Sequence, residues 1–404
     1  MTPKGWRKVS YGQVMVETEM RAERTVDLPV LSVTKTRGLM LASERFGKVM
    51  HGRDLTRYRV APRNSVVADP MLLWDGSIGL QTIVDAGLVS PDYRVYQPVD
   101  QVDPQFLGYV VRSPQMLPHY QEGARGTNVR RNRIARSDYL AIPLLLPPLA
   151  EQKRIAAILS SVDDAIESTQ AVIGQLQVVK RSMMAELLTR GLPGRHTKFK
   201  RTEIGEAPAE WDVTTVGALG DFSGGRGFRP PDWSSAGLPI IRIQNLNGSQ
   251  NFNYFAGVPD PTWVVEPGEL LFAWAGSRGA SFGPCIWPGP RGVLNQHIHR
   301  IKPKGTVRKT FLYYLLRLIT DEVEKKAHGF KDTLVHLRKA ELTKWLVALP
   351  SLAEQDDLVR RLESLEDSAE SEESYLYGLQ QLKAALMSSL LAGEVRVKSD
   401  KAAS

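Results

Sequence analysis

The sequence predicts an α+β chain: two mixed α/β domains and two long helices that pair with each other, laid out as an internal repeat. Three observations carry this. Residues 147–188 (PPLAEQKRIAAILSSVDDAIESTQAVIGQLQVVKRSMMAELL) return, ungapped, as residues 350–391 (PSLAEQDDLVRRLESLEDSAESEESYLYGLQQLKAALMSSLL). Such a long-period repeat in 404 residues reads as a duplication, not a solenoid. Both copies also carry apolar residues on an alternating 4,3 grid, the a/d seam of a coiled coil. The sequence before each copy, by contrast, is broken into short apolar runs and turn signals.

In order along the chain, residues 1–146 form the first mixed domain. Short strands are expected around 30–33 and 93–96, turns at 62–64 and 75–76, and a helix over 106–111. Prolines 143, 147 and 148 make an extended connector. Residues 147–190 are the first long helix, with seam positions Ile155, Leu159, Val162, Ile166, Ile173 and Leu176. Residues 191–204 are a linker, opened by the helix stop at 190–194 and continuing as a basic stretch, RHTKFKR. Residues 205–347 are the second domain. Residues 348–392 are the second helix, with seam positions Leu358, Leu362, Leu365, Leu376 and Leu379, and 393–404 are a tail. The seam is polar at the same places in both copies, Thr169 with Glu372 and Lys180 with Lys383, which helps to fix register. Each seam needs a partner, and the simplest partner for one rod is the other.

The two domains resemble each other weakly and in the same order. Trp6 corresponds to Trp211, 73–79 (LWDGSIG) to 273–279 (AWAGSRG), Phe106 to Phe311, and the loop at Gly126 to that at Gly329. Similar rods on divergent domains suggest one scaffold presenting two reading heads.

Composition narrows the function classes. No run of apolar residues is long enough to span a membrane, and the first ten residues do not read as a signal peptide. A single cysteine, Cys285, excludes an internal disulfide framework and fits a reducing cytoplasm. Both domains are basic: residues 1–150 hold 20 Lys and Arg against 14 Asp and Glu, and residues 205–347 hold 17 against 13. Residues 348–404 are acidic, 6 against 11. Two basic domains point to a polyanion with two contact regions.

Catalytic patterns are weak. The glycine-rich run at 221–227 is followed by Phe228-Arg229-Pro230-Pro231, not by the helix a nucleotide loop needs, so it reads as a turn. No Walker loop or Asn-Pro-Pro-Tyr-like methyltransferase tetrapeptide is present, and the acidic and lysine residues at 259–260 and 324–326 are too widely spaced for a nuclease core. Cys285, His297 and His299 lack metal-ligand spacing, so no metal site is expected.

Recognition chemistry remains. Arg or Lys matches guanine, and Asn or Gln matches adenine. In the second domain, residues 237–246 (GLPIIRIQNL) read as a strand with Arg242 and Gln244 on its polar face and Asn245 at its end. Arg226, Arg229, Arg278, Asn295, Gln296 and Lys331 lie in neighbouring loops. The first domain offers Arg53, Arg57 and Arg94, then the segment 123–136 with Arg125, Arg130, Arg131 and Arg133 and no acidic residue. Arginine suits such a place because its planar fork binds phosphate and guanine bidentately.

On these residues the chain resembles the specificity subunit of type I restriction–modification systems. The resemblance rests on Leu-Pro-x-Leu-Ala-Glu-Gln at the start of each rod, the run 237–246, Val293-Leu294-Asn295-Gln296-His297, and the stretches 74–79 and 90–95. It implies that each domain is a target-recognition domain for one half of a split double-stranded DNA sequence. It implies further that the rods lie antiparallel and dock two methyltransferase (modification) subunits that act on adenine N6. Restriction/translocase subunits would complete the complex, with S-adenosylmethionine, ATP and Mg belonging to those partners and no cofactor in this chain. The chain itself would be non-catalytic, cytoplasmic and part of phage defence. The alternative is a non-catalytic DNA-binding scaffold of another defence system.

Overall fold

The computed structural model describes residues 2–23, 27–47, 55–125, 133–277, 279–326 and 334–397. They form two compact units, residues 1–171 with 374–404, and residues 172–373. Each unit therefore holds one head, the start of one rod and the end of the other.

The rods are single helices, Leu149–Arg190 and Leu352–Leu391. Prolines 147, 148 and 350 precede them, and Gly191 and Gly393, both left-handed, follow. The 4,3 grid is the buried stripe. Ile155, Leu159, Val162, Ile173, Leu358, Leu362 and Leu379 are buried, and Ile166, Leu176, Leu365 and Leu376 are half-buried. In the first unit Ile155 and Leu159 share a core with Leu390 and Leu391. In the second, Met184, Leu187 and Leu188 share one with Leu358, Val359 and Leu362. The start of one rod meets the end of the other in both units, so the pairing is antiparallel. Each such buried side chain contributes about 1.5–3 kcal/mol.

The two lysine seam positions are explained by this packing. Lys180 Nζ sits 2.5 Å from Glu366 Oε1, and Lys383 Nζ 2.5 Å from Asp163 Oδ1. Each carboxylate also accepts from a head tyrosine: Tyr314 OH donates to Glu366 (2.7 Å) and Tyr109 OH to Asp163 (2.8 Å). Thr169 is buried, its hydroxyl donating to the Ala165 carbonyl one turn back.

The Ala-Glu-Gln motif at each rod start joins head to rod. Gln152 accepts from the Asp103 amide and donates to the carbonyls of Pro147 and Gln101. Gln355 repeats this with the Arg308 amide and the carbonyls of Pro350 and Thr306. The Trp6 indole donates to Glu151 and the Trp211 indole to Glu354, each at 3.0 Å. The glutamine bonds satisfy backbone groups that burial would otherwise leave unpaired.

The heads repeat one plan. The first has an antiparallel sheet in the order Met15–Thr18, Arg94–Pro98, Val66–Ala68, Ile78–Leu80. The second has Gly220–Gly224, Ile298–Pro303, Leu270–Ala273, Gly283–Ile286 in the same order. In each, a strand near the start (Arg7–Ser10; Asp212–Thr215) pairs with the strand leading into the rod (Pro143–Leu146; Leu346–Leu349). A helix then follows the sheet, Pro104–Val111, N-capped by Asp103, and Lys309–Lys326. The expected helix over 106–111 and strands near 30–33 and 93–96 are present.

Three expectations are corrected. The run 237–246 is not one strand: it ends at Ile241, and Ile243–Leu246 is a helical turn. Trp74 and Trp274 do not correspond, since Trp274 directly follows its strand whereas Trp74 lies in the helical turn Leu73–Asp75, beyond the end of Val66–Ala68. The basic linker is not a free stretch. Phe199–Thr202 pairs with Gly205–Pro208, Arg195 binds Asp357 at 2.7 Å, and His196 lies between Glu354 and Glu210 at 2.6 and 2.7 Å. The loops at Gly126 and Gly329 lie outside the described residues.

Candidate nucleic-acid interface

In the second head the strand ends bring several candidates to one edge. Leu238–Ile241 and Gly292–Leu294 run parallel, Ile241 opposite Leu294, so the residues that follow, Arg242 and Asn295, emerge together. The Asn295 amide donates to the Ile241 carbonyl (3.0 Å). The turn after Gly220–Gly224 joins them, the Arg226 amide donating to the Leu294 carbonyl (2.9 Å). Arg226, Arg242 and the adjacent pair Asn295–Gln296 are thus brought together by backbone hydrogen bonds although the three lie apart in sequence.

Their side chains differ in freedom. Arg226 is paired with Asp232 (2.7 Å) and lies 5.3–5.7 Å from the rings of Phe228, Phe255 and Trp263. Arg242 stacks on Trp233 at 4.8 Å. Asn245 faces inward: it is buried, accepts from the Arg242 amide and donates to the carbonyls of Ser249 and Asn251. Its amide is committed inside the fold, against its expected role at a base edge. The Asn295 side chain accepts from the Gln296 amide (2.6 Å). Gln244, Arg229 and Gln296 are exposed.

The sequence reading missed an aromatic cluster beside them. Trp274 follows Leu270–Ala273 and donates through its indole to the Gln296 carbonyl (3.0 Å). Around its ring lie His297 (5.1 Å between centroids), His299 (6.3 Å) and His336 (6.3 Å). Burial, then the nearby Lys339, lowers His299 to a pKa of about 4, so it is neutral at physiological pH. Among the described residues no group of three His, Cys, Asp or Glu side chains could hold a metal. The signal was present in the His297/His299 pair, but Trp274 and His336 reach it only through the fold.

The first head has ionic chemistry at the matching sheet. Glu17, almost fully buried, receives Arg59 (3.4 Å) and Arg136 (2.8 Å). Arg94 is half-buried at the start of the adjacent strand, and Arg57 is exposed. Arg133 is exposed on Arg133–Ile134, where it pairs through the backbone with Arg125 of Ala124–Arg125. Arg53, Arg130, Arg131, Arg278 and Lys331 lie outside the described residues.

Comparison with known proteins fits these features. A family model for the type I restriction modification DNA specificity domain matches residues 68–178 and 208–379, well over half of the chain, so the chain belongs to that family. It is a specificity subunit, a DNA-recognition chain and not a catalytic one. The type I restriction enzyme MjaVIII specificity subunit of Methanocaldococcus jannaschii is 28% identical over 353 residues, covering 82% of this chain and 80% of that protein. A chain from a structural study of assembly and conformational transition in the type I R-M system is 16% identical, with a TM-score of 0.63, over 98% of this chain and 100% of that one. The type I system S subunit from M. genitalium is 13% identical, with a TM-score of 0.52, over 97% and 99%. These two likenesses are of fold. Among the described residues no helix is long and apolar enough to cross a membrane.

Proposed function

We propose that the two heads read the two halves of a split DNA target and that the rods between them dock two methyltransferase subunits and the restriction/translocase subunits. The observation that carries this is the pairing of sameness and difference within one chain. Both units repeat the sheet order and the Trp–Glu and Gln knots at the rod start, while the first head gathers arginines around the buried Glu17 and the second gathers rings around Trp274. Identical fixings suit identical partners, and different surfaces suit different base sequences. Exposed apolar residues outside the seam, Val172 and Val179 on the first rod, Tyr375 and Leu382 on the second, support docking of partner helices.

In this reading the described arginines of the interface grip phosphate and contribute register, while amide side chains read base edges. Chemistry on adenine requires the base to leave the stack, and that step belongs to the methyltransferase. S-adenosylmethionine, ATP and Mg belong to the partner subunits, and the assembly works in the cytoplasm. A non-catalytic DNA-binding scaffold of another defence system is the alternative. Single-molecule sequencing of DNA from cells co-expressing this chain and its neighbouring methyltransferase separates them. The expected result is methylated adenine in two short specified halves around a fixed gap. Methylation that is absent, or that does not depend on this chain, would favour the scaffold.

A further inference from the structure

We propose that Gln296 is the residue of the second head that specifies an adenine, and that His297 positions it. This rests on the DNA-reading role proposed above and adds which base, and through which atoms.

The amide side chains at this edge are unequal. Asn245 is occupied by three bonds to the backbone, and the Asn295 carboxamide oxygen holds the Gln296 amide. Gln296 is exposed yet fixed. Its backbone is held at both ends, the N–H by Asn295 and the carbonyl by the Trp274 indole. Its side-chain Nε2 donates to His297 Nε2 at 3.1 Å, and the His297 ring rests against Trp274. Because the amide nitrogen can only donate, His297 Nε2 is the acceptor of this pair, while the buried His297 Nδ1 has no hydrogen-bond partner among the described residues.

Room for this arrangement comes from Gly227. A Cβ at that position would lie 2.7 Å from Gln296 Oε1, closer than real contacts allow, so any larger residue would displace the amide.

Hydrogen-bond accounting then names the base. The glutamine amide has two N–H groups and one oxygen. One N–H is given to His297. The other N–H and Oε1 remain, a donor beside an acceptor. That set matches the acceptor N7 and donor N6 of adenine in the major groove, the pairing by which Gln discriminates adenine. Fixing the amide in advance removes the rotamer entropy an exposed glutamine would lose on binding.

The test uses the full chain with its methyltransferase and reads the methylation motif genome-wide. The wild type must first return a split motif; if it does not, the proposed function fails and Gln296 is not at issue. Given that motif, Gln296→Ala should leave one adenine in one half-site unspecified and the other half-site unchanged. Gln296→Glu, which only accepts, should move the preference at that position towards cytosine. His297→Phe keeps a ring against Trp274 but removes the acceptor, and should partly relax the same position alone. In parallel, binding of purified wild type and variants to duplexes altered base by base should show Gln296→Ala lowering discrimination at that position on the order of 10-fold. A motif unchanged in Gln296→Ala, or equal loss of affinity for target and random DNA, overturns the inference.

Discussion

Glu151 and Glu354 occupy equivalent places in the two units, each accepting an indole N–H from a buried tryptophan, yet a different cation completes each site. Glu151 receives a bidentate guanidinium from Arg396, at 2.8 and 2.9 Å. Glu354 receives His196, which also binds Glu210, with the Arg195 guanidinium 3.8 Å away and the Trp211 ring edge-on. Burial pushes Glu151 up, but Arg396 and Trp6 outweigh it and hold its pKa below the ordinary carboxylate value. Burial pulls His196 down, but Glu354 and Glu210 outweigh it and hold it above the ordinary histidine value. The same anchoring point is thus permanent in one unit and titratable in the other. Duplication preserved the tryptophan and the carboxylate and left the counter-charge open.

The largest test addresses what is shared. Trp211 and Trp6 are 1% and 6% exposed, and replacing a buried tryptophan by alanine costs about 3–5 kcal/mol. Trp211→Ala should raise hydrogen exchange throughout residues 172–373 and leave the other unit protected; Trp6→Ala should do the reverse. Loss of protection in both units from either variant would break the division into two units.

A middle-sized effect belongs to the seam lysines. Lys180→Leu should cost about 1–2 kcal/mol in thermal unfolding by leaving Glu366 without its cation, and Lys383→Leu should cost the same within about 0.5 kcal/mol through Asp163. Replacing both members of a pair by leucine should still cost stability, because the hydroxyl of Tyr314 or Tyr109 then loses its acceptor. Unequal costs would mean that the two bridges, alike in geometry, are unlike in environment.

The smallest effect sharpens the difference. Because the folded pKa of His196 is raised, its contribution is complete below the unfolded value of about 6.5 and is lost as pH rises through the folded value. The second unit should therefore loosen from neutral pH upward while the first, held by Arg396, does not. His196→Gln should flatten that profile, and Arg396→His should carry a similar dependence into the first unit. Hydrogen exchange between pH 6 and pH 9, corrected for intrinsic rates, would show either outcome.

The rods were legible in the sequence because helical packing writes a period, and the duplication wrote it twice. The Glu-Gln motif was legible as a pattern but not as chemistry. Gln152 and Gln355 act on backbone groups some fifty residues away, Gln101 and Thr306 among them, and such partners leave no local trace. The stretch 237–246 was misread because alternating Ile241 and Ile243 imitate a strand, while the Asn245 bond to the Arg242 amide closes a turn instead. The edge at Trp274 was half legible: Asn295, Gln296 and the two histidines adjoin in sequence, but the tryptophan and His336 are delivered by other strands.

The indole of Trp211 also has an optical consequence. A protonated imidazole edge-on to an indole quenches its emission by accepting excited-state electron density, whereas a neutral one does so weakly. With the ring centres of His196 and Trp211 5.8 Å apart, a variant keeping Trp211 alone among the eight tryptophans should brighten as His196 loses its proton. The charge at the second rod start can then be followed by fluorescence in the intact chain, with no label added.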